Sequence, residues 1–127
     1  MDQQRPSRRL ETLALVAAGG FLGSIARYGV ALLVPGLAGT FVVNATGSAA
    51  LGYVLYTATT TERIPRRVRL LAATGFLSSY TTYSTFALET LGVHPVVGLA
   101  NVIGSYACGF GAALFGRRIA LGGRRWR

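Results

Sequence analysis

The sequence predicts an all-α integral membrane protein of four transmembrane helices, with the third helix broken near mid-membrane. Composition and charge placement predict the spans. Of the 127 residues, 51% are hydrophobic and only 13% charged, about half the usual charged share. The charges also cluster, leaving residues 28–61, 70–88 and 90–116 with none, intervals of 34, 19 and 27 residues. A bilayer core takes about 20 apolar residues per helical span, so the first interval holds one span and part of another. The break is predicted by eight consecutive hydroxyl residues, Ser78 to Thr85, inside the expected third span.

The elements follow in order. Residues 1–9 form a basic leader carrying Arg5, Arg8 and Arg9. The single membrane domain covers residues 10–116. Span one runs from Leu10 to about Val34 and stops at Pro35-Gly36, a pair that punctuates helices. The apolar stretch from Leu13 onward has the look of a signal-peptide core, but it continues well past the usual length. Span two runs from about Gly39 to Thr59 and ends in a hydroxyl-rich stretch before the charged connector, residues 62–69. Span three is expected from about Leu70 to Leu91, and Gly92 to Pro95 make a short turn. Span four covers about Val96 to Phe115, and residues 117–127 are a basic tail.

Orientation can be read from the arginines. With four spans, the leader, the connector and the tail share one side of the membrane. They hold three, four and five arginines, twelve of the thirteen in the chain, while the two opposite loops hold none. Cytoplasmic loops carry the excess of Lys and Arg, so both termini are expected in the cytoplasm and the protein in the cell inner (plasma) membrane. This accounts for the formal net charge of +9 without a nucleic-acid partner, and basic clusters at that level attract anionic lipid. One histidine, one cysteine and four acids assemble no nucleophile–base pair or metal-ligand cluster, which argues against an enzyme.

A plain membrane anchor would not need the remaining features. Seventeen glycines include small residues four apart, such as Gly19 with Gly23, Ser48 with Gly52, Ala100 with Gly104, Ser105 with Gly109 and Ala107 with Gly111. That spacing lets helix backbones approach closely in lipid, and a chain this short is expected to pack against another subunit as well. Arg27, the one arginine inside span one, serves either as a snorkelling charge at the outer interface or as a vestibule charge that draws anions. Glu89 is open to the same two readings. Asn44 holds a side-chain amide inside an apolar helix, so it bonds to another helix or lines a polar path. Cys108 reads as a small packing residue, His94 as a loop residue, Tyr106 as packing and Trp126 as a headgroup-level residue of the tail.

The hydroxyl run is the strongest signal. Eight hydroxyls cover every face of a helix, and such side chains compete with helical backbone bonding. A break at membrane depth survives only when buried in protein or lining a wet cavity, and carbonyls freed by such breaks commonly coordinate a cation. The hydroxyl protons are donors that replace the water shell of a small anion. The ring edges of Tyr83 and Phe86 are electropositive as well. With Asn44, these residues look built for a small, strongly hydrated anion. In span four Asn101, Ser105 and Gly109 lie one turn apart on one face, a narrow polar track expected to face Asn44 and the hydroxyl run.

At these residues the sequence resembles the CrcB/Fluc family of fluoride channels. The matching motifs are Gly19-Gly20-Phe-Leu-Gly23-Ser-Ile-Ala-Arg27-Tyr28, then Gly39-Thr40 leading to Asn44 and Gly47. Thr74-Gly75-Phe76 then leads to Thr81 through Phe86 with Glu89, and Asn101-Val-Ile-Gly104-Ser105 closes the set. The resemblance implies an antiparallel dimer with two narrow pores that pass fluoride out of the cell, reducing its toxicity. It implies a structural sodium ion at the dimer centre held by backbone carbonyls, here of Ser78 and Thr81. It assigns Asn44 as the pore asparagine and Tyr83 and Phe86 as aromatic box positions. Ser84, Thr85 and Glu89 become pathway residues, joined by Asn101 and Ser105.

Two departures stand out. Ser78-Ser79 replaces the family's Gly-Gly at the break, which makes a tight turn harder because glycine alone adopts positive φ freely. Tyr83 replaces the first box phenylalanine, and its hydroxyl narrows or polarises one pore. A homodimer would need the chain inserted in both directions, and an arginine split of twelve to none disfavours the inverted copy. An obligate heterodimer with an oppositely oriented paralogue is therefore expected. The alternatives are a non-conducting structural partner of such a paralogue and, less in keeping with the residues, a small multidrug transporter. The latter would need a carboxylate buried in span one, where only Glu11 stands, at the cytoplasmic edge.

Overall fold

The computed structural model describes residues 4–60 and 63–122. Its elements are helices: α1 Gln4–Leu33, α2 Leu37–Thr60, α3 over residues 66–80, α4 Ser84–Leu91 and α5 Pro95–Gly122. Three helical stretches, Pro6–Leu33, Leu37–Thr60 and Pro95–Gly122, are long and apolar enough to cross a membrane. At about 1.5 Å per residue, each exceeds the roughly 30 Å hydrocarbon core.

The expected third span divides. Helix α3 begins as a regular turn at Arg66–Arg69, widens to a π-helix over Leu70–Leu77 and returns to α over Ser78–Tyr80. The chain then leaves helical geometry at Thr81, with φ −76° and ψ 158°, and α4 starts at Ser84. The break thus lies within the hydroxyl run, two residues beyond the Ser78-Ser79 pair. Ser78 itself is helical at φ −63°, so that pair meets no demand for positive φ, and the expected difficulty of a tight turn there does not arise.

The ends of the elements have local causes. Helix α1 ends at Leu33, two residues before Pro35, and the chain turns into α2 at Gly36, whose φ of +72° is a left-handed value that glycine adopts freely. Pro95 opens α5 at the first helical position, where its missing N–H is no loss, and His94 Nδ1 accepts the Val96 N–H at 3.4 Å. At two ends the helix runs on past the expected membrane span. Helix α1 is already formed at Gln4, and α5 continues through Arg117 and Arg118 to Gly122. Long arginine side chains bury their stems while the heads stay wet, so a helix can extend past its apolar segment. The expected positions of Met1–Gln3, Thr61, Glu62 and the tail from residue 123, Trp126 included, lie outside the described residues.

Packing forms two tight pairs, α1 on α3 and α2 on α5, with α4 touching α5 and α2. The glycines explain the closeness. Gly19 and Gly23 of α1 lie on the backbone of Leu71 and Phe76, and a methyl on Gly75 would stand 2.7 Å from the Val16 carbonyl. Gly52 rests on Ala113 and Gly116 on Ala49, which bears out the small-residue reading for Gly19, Gly23 and Gly52. Gly104 and Gly111 meet nothing within 4 Å, and Gly109 only the Ser48 hydroxyl at 3.8 Å. That part of α5 is open within the protomer, and Cys108 is exposed there rather than packed. Gly116→Ala is expected to destabilise by about 1–3 kcal/mol, since the added methyl meets backbone that cannot give way. Gly111→Ala should leave protomer stability within about 0.5 kcal/mol. Thermal unfolding in detergent separates the two; equal midpoints would contradict the α2–α5 packing.

Candidate functional site

The break is held open by one side chain. Asn44 of α2 donates from Nδ2 to the Thr82 carbonyl at 2.9 Å, and its Oδ1 accepts the Thr82 N–H at 2.8 Å. The two backbone groups also fix which way the amide faces. In an unbroken helix the Thr82 N–H would donate to Ser78, four residues back, so the clamp releases the Ser78 carbonyl. The Thr81 carbonyl loses its helical donor in a similar way. The Thr85 N–H that would reach it goes to Thr82 Oγ1 at 3.3 Å, and that hydroxyl donates to Thr85 Oγ1 at 3.1 Å. Ser78 and Thr81 are the two carbonyls expected to face a cation, and an oxygen pair freed from helical bonding suits a hard ion such as Na+.

Other hydroxyls complete the frame. Thr81 Oγ1 donates to the Leu77 carbonyl at 2.9 Å and Ser78 Oγ to that of Ala73 at 3.3 Å. Thr46 spends its proton on the Val42 carbonyl at 2.7 Å, so the Tyr80 hydroxyl, 3.0 Å away, is the donor in the Thr46–Tyr80 pair. Satisfied in this way, the polar groups can exist at membrane depth.

Two cavities meet at the break. A groove of about 540 Å³ runs between α2, the broken segment and α5, lined by Asn44, Ser48, Ser78, Thr81, Thr82 and Ser105 with Tyr83, Phe86, Tyr106 and Phe110. A smaller one of about 220 Å³ lies beyond it and is lined by Ser24, Arg27, Thr40, Thr82, Thr85 and Glu89. Thr82 borders both. Aromatic rings follow one another along the groove: Tyr83 to Phe86 tilted at 6.0 Å, Phe86 to Tyr106 edge-on at 6.3 Å, and Tyr106 to Phe110 tilted at 6.3 Å. Phe86 is buried, whereas Tyr83 is 72% exposed and so lies on the outside of the protomer.

The expected site residues therefore separate. Asn44, Ser78, Thr81, Tyr83, Phe86 and Ser105 share the groove. Thr85, Glu89 and Arg27 line the second cavity, where Glu89 Oε2 is buried with no hydrogen-bond partner among the described residues. Ser84 is exposed and lines neither cavity. Asn101 departs from the expected track: its Nδ2 donates to Thr90 Oγ1 at 2.8 Å, and Thr90 donates on to the Phe86 carbonyl at 2.6 Å. Ser105 Oγ donates to Asn101 Oδ1 at 3.3 Å, and the track reaches the groove through Ser105 and Gly109 but not through Asn101. The sequence reading missed two residues: Thr82, which the clamp grips, and Thr90, which anchors Asn101. Tyr106, read as packing, does pack on Phe86 and Phe110 and lines the groove as well.

A sequence model described as CrcB-like protein, Camphor Resistance (CrcB), matches residues 14–117. A protein named fluoride-specific ion channel FluC 1 from Haloarcula marismortui is 48% identical over 119 residues, 94% of this chain and 93% of its own length. A protein of the same name from Natronomonas pharaonis is 47% identical over 117 residues, 91% and 95% of the two lengths. One named FluC 2, from Halobacterium salinarum, is 46% identical over 112 residues, 87% and 88%. Since the family match spans the clamp, the break and both cavities, and the relatives cover nearly the whole chain, the chain belongs to the CrcB-like family.

Proposed function

We propose that the chain is a subunit of a fluoride-specific ion channel that lets fluoride leave the cytoplasm passively. The observation that carries this reading is the helix break clamped by Asn44, where two cavities lined by hydroxyls, amide and ring edges meet. The names of relatives at up to 48% identity support it. The chain crosses the inner membrane four times, with α3 and α4 together making the third span, and both termini are cytoplasmic by the arginine bias.

In this reading the residues do different work. Arg27 raises the local anion concentration at the outer mouth, and Glu89 shares that cavity. Thr82 and Thr85 offer hydroxyls at the junction. The ring edges of Phe86 and Tyr106, with Ser105, accompany an ion that has shed water along the groove. The carbonyls of Ser78 and Thr81 would hold a structural sodium ion, which supplies positive charge at the centre of the assembly.

Assembly is the second part of the proposal. The groove is open to one side, Tyr83 is exposed and α5 presents unpacked glycines, all of which an antiparallel second subunit would cover. The arginine split favours a paralogue of opposite orientation as that subunit, and relatives named FluC 1 and FluC 2 are compatible with paired chains. Fluoride efflux from liposomes reconstituted with this chain alone, and with its paralogue, tests both parts. Efflux from the mixture only is the expected result. Efflux from this chain alone would overturn the heterodimer and keep the channel, and silence in both would overturn the channel subunit reading. A non-conducting supporting role is favoured by one observation, Tyr83 in the exposed aromatic position. It predicts that Tyr83→Phe restores or raises efflux in the mixture.

A further inference from the structure

We propose that the cytoplasmic ends of α1 and α3 form a binding site for the phosphate of an anionic membrane phospholipid. A crevice of about 430 Å³ there is lined by Arg8, Glu11, Arg66 and Arg67. The three guanidinium groups are not equivalent. Arg67 Nε is paired with Glu11, so its charge is met within the protein. Arg66 Nη2 donates to Thr12 Oγ1 at 2.9 Å, and that hydroxyl donates to the Arg8 carbonyl at 2.8 Å. Neutral oxygens therefore position Arg66 while leaving its charge and its other N–H donors uncommitted. Among the described residues neither Arg8 nor Arg66 meets a carboxylate.

Two uncompensated like charges bordering one crevice repel each other, and an anion between them relieves the repulsion. Guanidinium groups match phosphate in shape, with parallel N–H donors for two oxygens. The source of the phosphate follows from what lies next to the arginines. Arg8 belongs to the helical stretch Pro6–Leu33 that is apolar enough to cross a membrane, and Arg66 stands four residues before the apolar run Leu70–Leu77 of α3. A phosphate held by Arg8 and Arg66 therefore stands at the level where the apolar segments begin, which is the level of the lipid headgroups. The site lies at the cytoplasmic end of α1, away from both cavities of the proposed pathway, and depends on the membrane reading but not on conduction.

The test measures binding of phosphatidylglycerol to the purified full-length assembly by native mass spectrometry, with phosphatidylcholine and inorganic phosphate as separate arms. Phosphatidylglycerol is expected to bind in preference to phosphatidylcholine. Arg66→Gln should weaken it about fivefold, the share of one basic residue at an anionic surface, and Arg8→Gln should do the same. Arg118→Gln, which removes an exposed charge of α5 on the same side, should leave affinity within about twofold. Arg66→Lys, keeping the charge, should retain most of the affinity, and unfolding midpoints in phosphatidylcholine alone check that all variants fold. Equal weakening by Arg66→Gln and Arg118→Gln would overturn the site in favour of diffuse surface charge. Inorganic phosphate displacing phosphatidylglycerol at equal concentration would overturn the lipid assignment.

Discussion

Asn44→Ala is expected to reduce fluoride efflux by at least about 100-fold and to lower stability by about 1–3 kcal/mol. The stability figure follows from the two bonds that the amide makes to Thr82. A fully buried backbone group left unpaired costs about 1–3 kcal/mol, and the two groups here are part-buried beside the cavities, so together they cost about what one buried group does. The efflux loss has a separate origin. Without the amide, the Thr82 N–H is free to return to the Ser78 carbonyl, its helical partner. The break then tends to close into continuous helix, recovering part of the lost bonding while consuming an oxygen proposed to face the cation and sealing the junction of the two cavities. Efflux should therefore fall further than stability alone would explain.

The aspartate variant separates the two bonds. Asn44→Asp keeps an acceptor for the Thr82 N–H but sets a carboxylate oxygen against the Thr82 carbonyl, and its charge repels an anion in the groove. It should be more stable than the alanine variant at neutral pH yet pass no fluoride. The measurements are fluoride-electrode traces from proteoliposomes and thermal unfolding of the same preparations. An alanine variant with unchanged efflux and midpoint would sink the clamp as the device that keeps the break open.

That clamp also shows where sequence reasoning stops. Charge-free intervals place α2 within two residues of its observed ends, because burial in lipid depends on composition more than on any partner. Eight hydroxyls announce a break in the third span, since no helix face escapes them. Its position at Thr81 rather than at Ser78-Ser79 depends on an amide 38 residues earlier, and no local pattern encodes that pairing. Asn101 teaches the same lesson. Its spacing with Ser105 is visible, but Thr90, eleven residues away across a turn, is chosen by how α4 lies on α5. Helices α1 and α5 run past the expected spans, to Gln4 and Gly122, for a different reason: arginine is a good helix former, so charge marks the edge of the membrane and not the edge of the helix.

The second large effect concerns orientation, where the same arginines act as topology signals. Wild-type chain is expected to insert in one direction only, because a bias of twelve arginines to none in short loops and tails is about as strong as that signal becomes. In a variant carrying Arg9→Gln, Arg63→Gln and Arg118→Gln, together with Ala38→Arg and Leu91→Arg, the bias weakens from twelve to none to nine to two among the loops and helix ends. Ala38 and Leu91 are exposed, so the new side chains displace no packed neighbour, and the proposed lipid site at Arg8 and Arg66 is untouched. A C-terminal fluorescent protein that matures only in the cytoplasm, compared with a phosphatase fusion active only outside, reads the direction. Wild type should give fluorescence alone and the variant a measurable phosphatase signal as well. Since an antiparallel pair then becomes available from one gene, the variant reconstituted alone should release fluoride where the wild-type chain alone does not. Phosphatase activity from the wild-type fusion would overturn the single-orientation premise. A variant inserted both ways yet silent in liposomes would instead point to Tyr83, and not to orientation, as the reason this chain needs a partner.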